Sequence, residues 1–354
     1  MLGRDHRRGR RRVQRQKEVS GPSLEPRRRL RYQQLHSPSE VPPIAVVIDI
    51  IAPIFGIVLI GWLAARFGAI DEAAGRGLSL FAFNFAIPVM LVRTLAEAAL
   101  PPHPEWRFVL AYFGGAFANF GLAAFLARRL FGRERAEPAI FGITAAFSNT
   151  TILGIPLILQ AYGEPAAVPL SLILGFHSAL LFTLTTVVAE LGVGAGSSLG
   201  RMLANILKGL VTNPILWGIG IGLVLNHLGL ALPSVLDRLA TTLGAAALPA
   251  ALFALGANLS RFRLMGSLRE ALLLTFLKIL AQPALIWLLA KGAFALPPLS
   301  TAIAVTIGAL PSGINAYLFA ARYRAAVPEA TSTILLSTLV SVVTVGLLLT
   351  VLRH

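Results

Sequence analysis

Apolar residues in this chain follow neither the period of a surface helix nor that of a half-buried strand. Beyond residue 43 they gather into runs of about 20, the length an α-helix needs to cross a bilayer, with charges clustered between the runs. The strands of a membrane β-barrel would alternate over about 10 residues, and these runs do not. The pattern predicts an all-α polytopic membrane protein with ten spans. They are Pro43–Arg66, Glu72–Leu95, Trp106–Leu130, Pro138–Tyr162, Ala166–Leu191, Leu203–Leu228, Ser234–Leu259, Leu268–Lys291, Leu299–Arg322 and Val327–Leu352.

Composition agrees: 56% of residues are hydrophobic and 13% charged, against about a quarter charged in a soluble domain. Mean hydropathy is +0.74. Cysteine is absent, which excludes disulfides, thiolate catalysis and Cys-based metal sites. Facing spans carry no Ser–His or paired-acid constellation and no metal-ligand spacing. An enzyme is therefore not expected, nor is a cofactor.

The halves resemble each other at a fixed offset. Pro53-Ile54 answers Pro214-Ile215, Gly61 answers Gly222, and Gly68 answers Gly229. Ala86-Ile87-Pro88 with Leu91 answers Ala247-Leu248-Pro249 with Leu252, and Tyr162 answers Tyr323, each pair 161 residues apart. Five spans per copy is an odd number, so the second copy enters the membrane inverted, as in secondary transporters. The copies are expected over residues 43–191 and 203–354, joined by a cytoplasmic connection at 192–202.

Loop charges orient the bundle, because Lys and Arg collect on the cytoplasmic side. Loops after the odd-numbered spans hold Arg66, Arg76, Arg128, Arg129, Arg133, Arg135, Arg201, Lys208, Arg261, Arg263, Arg269, Arg322 and Arg324. The other side holds Arg93, Arg107, Arg238, Lys291 and Arg353. Both ends of the helical core are thus expected outside the cytoplasm. Residues 1–42 run against this: up to residue 40 they carry twelve Lys/Arg against four Asp/Glu. The favoured reading is an upstream extension absent from the mature protein, with synthesis starting near Val46 or Val47. A basic arm on anionic lipid or nucleic acid, and a targeting peptide lacking a secretory apolar core, are the alternatives.

Two spans are broken at mid-depth. SNTTILGIPLILQ (148–160) lies at the centre of the uncharged segment 138–163, and IGALPSGINAYLF (307–319) lies mid-way in span nine. Shifted by 161, Asn149–Gly154 falls on Leu310–Asn315. Proline removes an amide donor and clashes with the carbonyl four residues back, and glycine loosens the backbone. A broken helix then exposes amides on one half and carbonyls on the other, which in hydrocarbon must meet a partner, a cavity or a ligand. Amide ends favour anions and carbonyl ends favour cations. Pro53, Pro88, Pro214, Pro249 and Pro283 read as ordinary kinks; what sets 148–156 and 311–315 apart is the cluster of Asn, Ser and Thr at both breaks, at matching depth.

Other polar residues inside spans divide similarly. Lys278, ten residues into span eight, is either a counter-charge for an anionic substrate or a snorkelling or carbonyl-paired side chain. Asn84 is either an interhelical hydrogen-bonder or a site-lining group. His177 reads as a hydrogen-bonded packing residue rather than a proton relay, Asn119 and Asn258 as packing or helix-end residues, and Asp49 and Glu190 as interfacial ones. No mid-span carboxylate remains, which speaks against a dedicated sodium–proton antiporter.

The stretch SNTTILGIPLILQAYG (148–163) resembles the fourth-helix crossover motif of the auxin efflux carrier family, which holds the plant PIN auxin exporters and many bacterial permeases. GALPSGINAYLFAARY (308–323) is similar to its ninth-helix motif and PIFGIVLIGWLAARFG (53–68) to its first span. The resemblance covers about residues 46–352. It implies ten helices in two inverted repeats, with spans one, two, six and seven as scaffold, the others as a moving transport domain, and substrate at the crossing of spans four and nine. Asn149 and Pro156 match the first crossover; Pro311, Gly313 and Asn315 lie in the second. Asn315 stands where plant exporters have proline, and the long plant cytoplasmic loop is missing, so the plant substrate preference does not carry over.

What the resemblance implies is export or exchange of small organic anions in the plasma membrane, with the lipid bilayer as surroundings, no nucleic-acid partner, and a homodimer through the scaffold helices as the candidate assembly. The expected substrate ligands are Ser148, Asn149, Thr150, Gly154, Pro156, Pro311, Ser312, Gly313, Asn315, Lys278 and Asn84. The alternative is a sodium- or proton-coupled symporter of bile-acid type on the same architecture, with Ser148, Asn149, Thr150 and Asn315 as sodium ligands. A passive receptor would need no central broken helices.

Overall fold

The computed structural model describes residues 50–100, 105–194 and 211–352, together with 200, 204, 207 and 208. The basic tail, most of the 192–202 connection and the starts of spans one and six lie outside the described residues, as do Asp49, Arg201 and Arg353. In chain order the helices are α1 (Ala52–Arg66), α2 (Glu72–Glu97), α3 (Trp106–Phe131), α4a (Glu137–Ala146), α4b (Thr150–Tyr162), α5 (Ala167–Val193) and α6 (Pro214–His227). There follow α7 (Ser234–Leu259), α8 (Leu268–Ala293), α9a (Pro298–Ala309), α9b (Asn315–Tyr323) and α10 (Val327–Leu352).

Among the described residues, six helices are long and apolar enough to cross a membrane: α2, α3, α5 with its leading 3₁₀ turn, α7, α8 and α10. The chain is an all-α polytopic membrane protein. Shorter apolar segments are α1, α4b, α6 and α9a. The edges of α7 and α10 fall where the apolar runs predict. Span six differs. The sequence puts Pro214 inside a helix as a kink, whereas α6 begins there, with the Asn213 side chain accepting from the Ile215 amide at 3.0 Å. Proline suits this first position, where its missing N–H has no partner to lose.

Three mid-helix prolines, Pro88, Pro156 and Pro283, are absorbed by one device. Ile87, Ile155 and Gln282, each the residue before a proline, donate their amides five residues back, to Ala82, Thr150 and Leu277. The π turn moves the carbonyl that the proline ring would strike and lets the helix continue. Pro156 is thus accommodated in the same way as Pro88 and Pro283. Pro249 sits inside α7 without such a turn.

Packing sorts the helices into two groups. In one, α7 lies along α1 and against α2, and α6 lies along α2. In the other, α3 packs on α4a, α8 on α3, α9a and α10, and α4a on α5. Few contacts join the groups, mainly α7 to the first turn of α4b and α5 to α2 and α6. Glycines set the closest approaches of the first group. Gly61 faces the Phe253 backbone and Gly222 faces the Val92 backbone, where a Cβ would collide. These two contacts exchange under the offset of 161 residues read from the sequence.

Ion pairs and hydrogen bonds sort the loops as well. Arg133, between α3 and α4a, bonds Glu137, Glu270 and Glu329 in the first turns of α4a, α8 and α10. Arg261 after α7 pairs with Glu72 at the start of α2. Elsewhere, Arg93 late in α2 pairs with Asp237 at the start of α7, and Ser300 in α9a bonds Glu105 just ahead of α3.

Candidate functional site

Both interrupted spans meet at their breaks. The chain leaves helical geometry over Phe147–Asn149 and Leu310–Ile314, and there Ser148 and Ser312 form an isolated antiparallel bridge. The Asn149 amide donates to the Pro311 carbonyl and the Gly313 amide to the Phe147 carbonyl, both at 2.9 Å. The bonds are related by a local two-fold exchange. Backbone groups freed by each break are thus satisfied by the other, as hydrocarbon surroundings require. Gly313 permits the approach, since a Cβ there would meet the Phe147 ring.

The bridge corrects the register. An offset of 161 would set Ser148 opposite Ala309 in the repeat, but its partner is Ser312, three residues later. In the bridge's register Asn149 corresponds to Gly313 and Thr151 to Asn315. Both arms end at a tyrosine, Tyr162 and Tyr323, and the longer first arm contains the π turn Thr150–Gly154.

On one side of the crossing lie the carbonyl ends of α4a and α9a. Lys278 Nζ donates to the Gly308 carbonyl at 2.6 Å, to Gln282 Oε1 at 2.7 Å and to Ser148 Oγ at 2.9 Å. Gln282 Nε2 donates to the Ala146 carbonyl at 2.9 Å. Asn119 Nδ2 donates to the Ala145 carbonyl at 2.8 Å and to Leu277 at 3.2 Å, and Ser312 Oγ to Thr144 at 2.8 Å. His177 Nε2 lies 3.2 Å from the Ser148 carbonyl and its Nδ1 lies 3.3 Å from the Tyr112 hydroxyl. Since a carbonyl only accepts, Nε2 carries the proton and Nδ1 accepts from tyrosine. His177 and Asn119 are buried and hydrogen-bonded.

On the other side the amide ends of α4b and α9b open onto a cavity of about 450 Å³ between the two helix groups. Thr151 and Asn315 line it from the interrupted spans, Ser178, Thr183 and Thr186 from α5, and Phe83 and Asn213 from the first group. Arg322, in the last turn of α9b, is also on the wall. The side chains of Thr151 and Asn315 make no hydrogen bond among the described residues, so their polar atoms are available to a ligand.

The sequence-predicted residues therefore divide. Asn315 lines the cavity. Ser148, Asn149, Pro311, Ser312 and Gly313 build the bridge, and Gly154 packs against Leu310 with no room for a Cβ. Thr150 is buried, with its amide on the Ser148 carbonyl at 2.8 Å, and Pro156 is buried in α4b. The 6% exposed Asn149 side chain has no hydrogen bond among the described residues, but it is not on the cavity wall. Two further expected ligands lie off the cavity wall. Lys278 is 0% exposed and directs its ammonium to the carbonyl side, because orphan carbonyls lie within its reach there. Asn84 is exposed, with no hydrogen bond among the described residues, because the π turn at Ala82–Ala86 presents Phe83 to the cavity instead. Sequence reasoning missed Thr151, Arg322 and the α5 hydroxyls. Thr151 was within the quoted motif, and the corrected register singles it out.

Among the described residues no group of three or more His, Asp or Glu could hold a metal ion. Known proteins similar to this chain include the following three. A protein of Rhizobium meliloti (strain 1021) named "Putative malonate transporter" is 28% identical over 309 residues, covering 87% of this chain and 97% of that protein. An "Uncharacterized transporter" of Methanothermobacter thermautotrophicus is 26% identical over 297 residues, covering 82% and 93%. A "Lysosomal cholesterol signaling protein" of Mus musculus is 28% identical over 110 residues, covering 30% of this chain and 13% of that protein. Residues 46–349 match the model described as membrane transport protein, and the chain belongs to that family.

Proposed function

We propose that this protein is a secondary transporter that exports or exchanges small organic anions by alternating access at the crossing of the two interrupted helices. One observation carries the reading: the cavity between the helix groups is bounded by two half-helix amide ends, with Thr151, Asn315 and Arg322 on its wall. Amide ends carry partial positive charge and favour an anion, and discontinuous helices of transporters present such ends to substrate carboxylates. A cavity of about 450 Å³ lies within the ~300–1,000 Å³ of small-molecule sites. The relative named for malonate makes a short dicarboxylate the first substrate to try.

Ten spans in two inverted repeats, of the auxin efflux carrier type, form the architecture of this proposal. The exchanged bonds at the bridge, the exchanged glycine contacts and the ion pairs between loops support it. The group built on α1, α2, α6 and α7 acts as scaffold and the group around the crossing moves, because few contacts join them. The end rich in arginine, with Arg133 and Arg261, faces the cytoplasm of a plasma membrane, and the scaffold is the surface for a homodimer. An anion leaving through a negative-inside potential gains about 2.3 kcal/mol per 100 mV.

The test is flux of labelled malonate and other mono- and dicarboxylates from proteoliposomes under an imposed potential. Outward flux should rise with negative-inside potential and fall in Asn315→Ala. Flux no faster than in protein-free vesicles for every acid would end this reading.

A further inference from the structure

Lys278 is a buried cation whose hydrogen-bond partners among the described residues are neutral oxygens: a backbone carbonyl, a side-chain amide oxygen and a hydroxyl. No carboxylate of the described residues pairs with it. A buried ammonium demands compensation. Here that comes from the carbonyl ends of α4a and α9a, which carry partial negative charge. Lys278 meets the second end directly at Gly308 and the first through Gln282, which passes the contact on to Ala146. One ammonium group thus closes both carbonyl ends and also holds the Ser148 hydroxyl at the bridge.

In transporters with discontinuous helices, unwound carbonyls and half-helix carbonyl ends are where a coupling cation sits. We infer that the Lys278 ammonium replaces such a cation as a covalently tethered one, so that transport proceeds without sodium and removal of the side chain uncovers a site for a small monovalent cation. The assignment rests on the transport reading for its consequence, and on the oxygen cage alone for the site. A free ion binds and leaves in each cycle; a lysine in α8 stays with the crossing. The anion's charge is then left uncompensated by a co-transported cation, and flux responds to membrane potential.

The experiment compares wild type with Lys278→Ala, purified whole and reconstituted, in sodium chloride and in choline chloride of equal concentration. Two readouts are taken: malonate flux and thermal unfolding in detergent. Wild type should give the same flux and the same Tm in both salts. Lys278→Ala should lose at least about tenfold of its flux in choline, recover at least half of the loss in sodium or methylammonium, and gain about 2–4 °C in Tm from the ion. A side chain needed only for packing gives loss without recovery and without a Tm shift, which overturns the proposal; so does a sodium requirement in wild type. If Lys278→Ala does not survive purification, Lys278→Gln is measured in the same salts against the same outcomes. Should no acid move in any sample while the cation-dependent Tm shift is present, the cage stands and the transport reading falls.

Discussion

The two sides of the crossing are made from the same two chain breaks, yet they differ in what is left over. On the carbonyl side Lys278, Gln282, Asn119 and Ser312 supply donors to Gly308, Ala146, Ala145 and Thr144. On the amide side Thr151 and Asn315 face a cavity with their side chains unpartnered among the described residues. Under the proposed function, a site closed where a cation would go and open where an anion would go would select its ligand by sign. The difference also assigns separate jobs to residues that look alike in the sequence. On the proposed function, polar side chains on the carbonyl side hold the fold, and those on the amide side are the ones to meet the substrate.

The strongest way to break this comparison is Gln282→Leu. It leaves the buried Ala146 carbonyl without a donor and takes one acceptor from Lys278. Unpaired buried groups, one of them charged, should cost about 2–4 kcal/mol of stability. Thermal unfolding in detergent reads this directly, and flux should fall with the folded fraction. A variant as stable as wild type would mean that the carbonyl side is not held by these donors.

Asn315→Ala tests the other side. The side chain has no bond within the described protein to lose, so Tm should stay within the equivalent of about 0.5 kcal/mol. KM for the anion should rise about tenfold, equal to about 1.4 kcal/mol. Thr151→Ala should act in the same direction, because the bridge makes it the counterpart of Asn315. A drop in stability with unchanged KM would reverse the roles of the two sides.

A smaller effect is expected from Arg322→Gln. The guanidinium is exposed on the cavity wall and packs over the Tyr323 ring, with Cζ 5.6 Å from its centroid. Exposed charges are screened, so KM should rise only about two- to fivefold, with the difference shrinking as salt is added. A dicarboxylate should feel the change more than a monocarboxylate. Equal effects on both would place Arg322 outside the substrate's reach.

The sequence made the helices legible because the apolar runs are long and their charges, Lys278 apart, gather toward the ends, and it made the two breaks legible because Asn, Ser, Thr, Gly and Pro gather at mid-span. The register of the crossing was not legible. Identities at a constant offset come from Pro88, Pro249, Tyr162 and Tyr323, which belong to helix bodies and ends. The bridge between them departs from that offset by three residues. The side on which a polar residue acts was hidden too, since it depends on the rotation of each helix about its axis. Lys278 carries the same charge whether it meets a substrate or a carbonyl, and only the closeness of Gly308, from another helix, decides.

Asn84 and Asn258 give the mildest comparison. Asn258 Nδ2 donates to Ser79 Oγ at 3.2 Å and ties α7 to α2, whereas Asn84 is exposed and has no such bond among the described residues. Replacing Asn258 by leucine should cost about 0.5–1.5 kcal/mol, the net worth of a hydrogen bond. Replacing Asn84 by leucine should leave both Tm and flux unchanged within about 0.5 kcal/mol. The informative result is a flux loss in Asn84→Leu at unchanged Tm. The neighbouring Phe83 already lines the cavity, so a modest rotation of α2 in the opposite-facing state would bring Asn84 to the same wall. The scaffold would then take part in binding during half of the cycle, and the division between a polar moving group and a passive scaffold would have to give way there.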